Sequence, residues 1–220
     1  MELLAVRQAR LVAFISAEEL NPFGHTDAQA LTEGLVERYG FLKYPKAMED
    51  YYNEERTVSF EGGRFGNISI LAITIYPNGI LVDTRSSTDD CEKVLEDALT
   101  WAQSACGLVY SPEMIMRRTY ISQLVFRSDT TLNMLNPKLA GFTERVTKAV
   151  AKDVEPTAPF ETTAIRIYFD PVIAKLPLDS FRVERLENAP FSENKYYSMA
   201  PLRTQDHLAL LEEFEAMLKG

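Results

Sequence analysis

The two histidines, His25 and His207, are the first residues to test for chemistry. Asp27 follows His25 at two positions, and Asp206 immediately precedes His207. Neither histidine belongs to a His-x-x-x-His or His-x-His pair, and neither neighbours a cysteine in sequence, so the ligand spacings of a zinc site are missing. Both read as surface or helix-cap residues. Asp83, Asp89 and Asp90 gather near the end of a strand, where a magnesium-dependent hydrolase could hold its metal. The simpler reading gives Asp89 and Asp90 to a helix dipole and Asp83 to a solvent-facing strand position.

Nucleophiles offer less. No Gly-x-Ser-x-Gly elbow is present, and neither Cys91 nor Cys106 lies in a local catalytic signature. Glu61-Gly62-Gly63-Arg64-Phe65-Gly66 carries glycines after a strand, but it lacks the Lys-Ser/Thr of a phosphate loop and opens no helix. The sequence therefore leans away from an enzyme and points to no cofactor and no metal.

Side chains suited to recognition are better represented. Arg166 and Tyr168, Arg182 and Glu184, and Tyr196 or Tyr197 fall on successive strands and could share one outward face, with Asp83 and Arg85 in related places earlier in the chain. Tyrosine and arginine supply rigid contact area and directional bonds, the materials of protein interfaces. Cross-strand ion pairs on a solvated sheet would use the same residue types. The function expected from this pattern is a non-enzymatic interaction or adaptor subunit that docks a protein partner or a second copy of itself. The alternative is a small-molecule sensor with its site in a cleft between two halves, suited to cationic, apolar ligands. A hydrolase using Asp83, Asp89 and Asp90 comes third.

The elements that must position these residues are organised around 68–103. Ile68 to Tyr76 is β-branched, aromatic and apolar on both faces, as a covered strand should be. Pro77-Asn78-Gly79 turns it, since Asn-Gly tolerates positive φ. Ile80, Val82 and Thr84 then share one face of the return strand, with Leu81, Asp83 and Arg85 on the other. Ser87-Thr88-Asp89-Asp90 opens a helix whose apolar stripe includes Cys91, Val94, Leu95, Ala98, Leu99 and Ala102, and Gly107 stops it. A similar stretch closes the chain. At a shift of 116 positions Thr204 lands on Thr88, Phe214 on Ala98 and Leu218 on Ala102, with Glu212-Glu213 on Glu96-Asp97.

Other elements follow the same grammar. Leu11–Ile15 reads as a strand, and a helix capped by Thr26 or Asp27 runs to Tyr39 before Gly40. The stretch 41–56 reads as a tyrosine-rich loop, and Thr57–Phe60 as a short strand turned by Glu61-Gly62-Gly63. In the second half Tyr120–Phe126 is a strand, and a helix starting at Thr131 or Pro137 runs to Lys152 with Leu139, Phe142, Val146 and Val150 in line. A linker at Pro156–Pro159 and strands at Thr163–Asp170, Phe181–Glu187 and Asn194–Met199 precede the last helix. In the first of these, Ile165, Ile167 and Phe169 should point inward and Ala164, Arg166 and Tyr168 outward.

Each half thus reads strand, helix, three strands, helix. The expected fold is α+β, with two similar halves (1–110 and 111–220) of mostly antiparallel sheet and helices packed on one face. At 220 residues, 46% apolar and 25% charged, the chain can bury a substantial core. A formal net charge of -9 disfavours nucleic acid as the main partner, because phosphate binding needs clustered cations. No secretory signal and no run of membrane-spanning length is apparent. Cys91 and Cys106, about 22 Å apart on one helix, cannot bridge, as suits a cytoplasmic protein.

Overall fold

The computed structural model describes residues 1–24, 26–51, 57–153, 158–170, 173 and 178–219, without the side chains of 48, 49, 137 and 138. His25 and the first half of the Pro156–Pro159 linker lie outside the described residues. The strands are β1 (Glu2–Phe14), β2 (Val58–Phe65), β3 (Ile68–Tyr76), β4 (Gly79–Thr84), β5 (Arg117–Arg127), β6 (Ala164–Ile167), β7 (Phe181–Arg185) and β8 (Lys195–Ala200). The helices are α1 (Ala17–Leu20), α2 (Ala28–Tyr39), α3 (Met48–Tyr51), α4 (Thr88–Cys106), α5 (Pro137–Val150) and α6 (Thr204–Lys219). The fold is mixed α+β, and its sheet is larger than expected: eight strands in the order β2-β3-β4-β1-β5-β8-β7-β6.

The chain divides into two compact units. The first comprises Val6–Ser122 with Pro201–Thr204, and the second Met1–Ala5, Gln123–Ala200 and Gln205–Gly220.

In the first unit, residues paired across strands build the core. Leu11 on β1 faces Val82 on β4, Val82 faces Ile73 on β3, and Ile73 faces Phe60 on β2. All four are buried, as are Cys91, Val94, Leu95, Leu99 and Ala102 of α4. The apolar stripe of α4 is what the alternating strand faces require above them. Its start is as read: the Ser87 hydroxyl accepts from the Asp90 amide at 3.1 Å, and Gly107 ends the helix at φ 71°. The outer acids of α4 take tyrosine hydroxyls, with Tyr110 donating to Glu96 at 2.6 Å and Tyr39 to Asp97 at 2.5 Å. Tyr120 donates to Glu92, which also holds Arg203 at 2.7 Å. Burial and its carboxylate acceptor push the Tyr120 phenol up to about 12.

Three boundaries differ from expectation. β1 begins at Glu2 instead of Leu11, because its first residues carry no clean alternation. β2 continues through Gly62-Gly63, and the turn falls at Gly66, where φ is 56°. Gly63 is needed there for space, since a Cβ would stand 2.5 Å from the Phe41 ring. The expected inward Ile167 is 62% exposed, because β6 is an edge strand that ends on it.

The approach of α2 to α4 yields a prediction. A Cβ on Gly34 would lie 2.5 Å from the indole of Trp101, the only tryptophan in the chain. Gly→Ala in a helix interior ordinarily gains roughly 1 kcal/mol. Forcing the indole aside costs about 1–3 kcal/mol. Gly34→Ala should therefore lose stability or at best break even, with Trp101 emission altered in the folded state. Urea unfolding followed at Trp101 checks this, and a gain near 1 kcal/mol would contradict the packing described.

In the second unit, Val183, Tyr196, Phe126 and Leu124 form the strand side of the core, and Leu211, Phe214 and Leu218 of α6 are buried. α5 buries none of its described side chains, so Leu139 and Phe142 stand 40% and 53% exposed. Among the described residues, no helix is long and apolar enough to cross a membrane.

Candidate binding face

Antiparallel pairing fixes which side chains share a face, because residues directly opposite point the same way. On β6, β7 and β8 of the second unit, Arg166 pairs with Arg182 and Arg182 with Met199. The neighbouring rung is Ala164, Glu184 and Tyr197. Arg166, Arg182, Glu184 and Tyr197 therefore do lie together, as the alternation in the sequence implies. Val183, Arg185, Tyr196 and Ser198 occupy the other face, toward His207 of α6.

Each arginine of the outer face is braced by an aromatic ring. The Arg166 guanidinium carbon is 5.4 Å from the Tyr168 ring centroid, and its Nε donates to Ser180 Oγ at 2.9 Å. The Arg182 guanidinium carbon stands 5.4 Å from the Tyr197 ring, and Arg182 Nε is buried without a hydrogen-bond acceptor. Among the described residues no ion pair involves Arg166 or Arg182. Glu184 and Asp179 act on Arg182 only through space.

Tyr196 is a different matter. It is 1% exposed, stacked on Phe126 at 5.5 Å and covered by Arg185 at 4.9 Å. Of the two neighbouring tyrosines, only Tyr197 faces outward, and Tyr196 is a core residue. Arg185 shows what a structural arginine looks like here: it is 9% exposed and bonds the Phe191 carbonyl, Asn194 and Glu161 at 2.8–3.1 Å. Its acceptor set was invisible in the sequence because Glu161 and Asn194 arrive from separate connections.

Asp83 and Arg85 belong to the first unit. Asp83 sits on the outer strand face as expected, but it is buried rather than solvated. Arg10 grips both carboxylate oxygens at 2.8 Å, and Gln8 donates at 2.8 Å. Arg85 is exposed just beyond β4. Asp89 pairs with Arg203 at 3.1 Å and Asp90 with Lys93 at 2.8 Å. The three aspartates are thus each neutralised by a different cation. Among the described residues, no group of three or more His, Cys, Asp or Glu side chains is placed to hold a metal ion.

The cysteines are free, and burial pushes the Cys91 thiol up to about 12, far from a nucleophile's range. No protein-family model matches the chain, and no curated protein matches it either.

Proposed function

We propose that the chain is a non-enzymatic binding subunit that docks an acidic segment of a partner protein on the outer face of β6, β7 and β8. The observation that carries this is the direct opposition of Arg166 and Arg182. Like charges opposite one another across an antiparallel pair are destabilising. Here the two guanidiniums belong to a chain of net charge -9 and no described carboxylate neutralises either by direct pairing. A carboxylate of the partner laid between them would accept from both guanidiniums. Tyr168 and Tyr197 supply the flanking contact area, and Glu184 on the next rung discriminates against an unbroken run of acids.

The scaffold is proposed to be a duplicated module. Supporting this, β4 and β8 span Gly79–Thr84 and Lys195–Ala200, while α4 and α6 open at Thr88 and Thr204, all at one offset of 116. Read inward from its two edges, the sheet order is β2-β3-β4-β1 and β6-β7-β8-β5. The two threonines also cap one another: the Thr88 amide donates to Thr204 Oγ1 at 3.1 Å, and the Thr204 amide to Thr88 Oγ1 at 3.0 Å.

The experiment is native mass measurement of the tagged chain isolated from its source cell, with crosslinks mapped. The expected result is a stoichiometric protein partner crosslinked near Tyr168 and Tyr197 and released by salt. Arg166→Glu with Arg182→Glu should weaken that partner by about tenfold or more. Arg166→Thr alone should leave the fold as stable or slightly more so, by about 0.2–1 kcal/mol, while still weakening binding. A strictly monomeric chain without a partner, or a partner indifferent to both arginines, would count decisively against this reading.

A further inference from the structure

We infer that the first unit contains a binding site for one small, neutral, apolar molecule, a single aromatic ring or a short alkyl chain, between α2, α4 and the inner face of β3 and β4. A cavity of about 200 Å³ lies there, walled by Leu31 and Leu35 of α2, Ile75 and Ile80 of the strands, and Ala98 and Leu99 of α4. Protein interiors are packed to the density of organic crystals, so a partly open apolar cleft of this size, with Ala28 exposed at its rim and Leu35, Ile80 and Leu99 buried at its walls, leaves packing contacts for an occupant to make. An apolar cavity of about 150 Å³ stays dry and admits benzene.

Comparison of the two helices supplies the second observation. At the offset of 116 that aligns β4–α4 with β8–α6, Ala98 corresponds to Phe214 and Ala102 to Leu218. Phe214 and Leu218 are buried, filling space in the second unit with a ring and an isobutyl group. The first unit places methyl groups at both positions, and the cavity opens beside them. The void is thus a matter of residue choice on one helix.

The lining also fixes the ligand class. Among the described residues, no charged side chain contributes to the wall. The polar residues of the described lining are Asn21 and Thr26, already joined by the Thr26 amide donating to Asn21 Oδ1 at 3.3 Å. The Thr26 hydroxyl is turned to the Cys106 carbonyl at 3.1 Å. An ion entering this space would lose its hydration with nothing to replace it, so cationic and anionic ligands are excluded.

Titration of the methyl-labelled full chain with toluene, followed by carbon-13 methyl resonances, tests the site. Saturable shifts are expected at Leu35, Ile75, Ile80 and Leu99, with the thermal midpoint rising by a few degrees. Tetramethylammonium and benzoate should leave those methyls unmoved. Ala98→Phe, which copies the residue at the corresponding position of α6, should fill the space and weaken toluene at least tenfold. Should that variant fail to fold, Ala98→Leu and Leu31→Phe are read in the same way. The proposal is overturned if wild type shows no saturable shift up to the solubility of toluene. It is equally overturned if the charged probes move the same methyls, or if the filled variants bind toluene as wild type does.

Discussion

Glu215→Ala is expected to cost about 3–5 kcal/mol of unfolding free energy, because it removes one partner of a buried ionic network. Glu215 is 5% exposed on α6. One of its oxygens accepts from Ser128 Oγ at 2.8 Å and from the Asp129 amide at 3.1 Å. The other takes Lys219 at 3.1 Å and the Met1 ammonium. Alanine would leave the Ser128 hydroxyl proton and the Asp129 amide without their acceptor, each worth about 1–3 kcal/mol, and would strand the cations. Burial alone would raise the carboxyl; hydrogen bonds from the amino terminus, Ser128, Lys219 and Asp129 outweigh it and hold it at about 2. A carboxylate depressed in this way stabilises the fold fully above its unfolded value near 4.5 and loses that contribution as pH falls toward 2. Urea midpoints for wild type and variant should therefore differ most at pH 7 and converge by about pH 2. A loss under about 1 kcal/mol, or one that does not shrink in acid, would show the network to be ornamental.

That network was not legible in the sequence, whereas much around it was. Ser87, Gly107, Asp27 and Gly40 announced helix ends because caps are local chemistry, complete within four residues. The hairpin Ile68–Thr84 was equally plain, since Asn78-Gly79 and β-branched alternation leave few alternatives. Glu215, by contrast, looks like any outward acid on an amphipathic helix. What internalises it is Ser128, 87 positions away. Asp83 shows the same limit from the other side. Its strand face was readable from alternation, but its burial depends on Arg10, 73 positions distant.

The binding face divides along the same line. Period-two alternation places Arg182 and Glu184 correctly relative to one another within β7. It left Tyr196 and Tyr197 undecided because the start of β8 at Lys195 had to be known first. It also extended β6 to Asp170, when the strand stops at Ile167 and leaves Ile167 and Tyr168 on an exposed edge. Edge strands lack a second neighbour to enforce the pattern, so apolar residues there carry less information about burial. The opposition of Arg166 and Arg182 requires the register of β6 against β7, which no single strand encodes.

His207 gives the other large expected effect, a stability that falls with acid in a window of its own. The imidazole is completely buried, 2.8 Å from Ser198 Oγ and edge-on to Phe181 at 5.8 Å. Ser198 has one hydroxyl proton, and it goes to the Arg182 carbonyl at 2.8 Å. Ser198 must then accept from Nε2–H, which fixes the neutral tautomer. Burial lowers the imidazole to about 4, against 6.5 in the unfolded chain. Between those values the unfolded chain binds a proton that the folded one refuses, so stability is complete above about pH 6.5 and declines toward pH 4. At 1.36 kcal/mol per unit the decline amounts to roughly 3 kcal/mol. His207→Leu combined with Ser198→Ala removes the titrating ring and its hydroxyl partner together, avoiding an orphaned donor. The double variant should have a flat stability between pH 6.5 and 4.5 and should still lose stability below 4.5, where Glu215 titrates. A wild-type curve already flat from pH 7 to 4, measured by urea unfolding at constant ionic strength, would mean that the ring takes its proton inside the folded core.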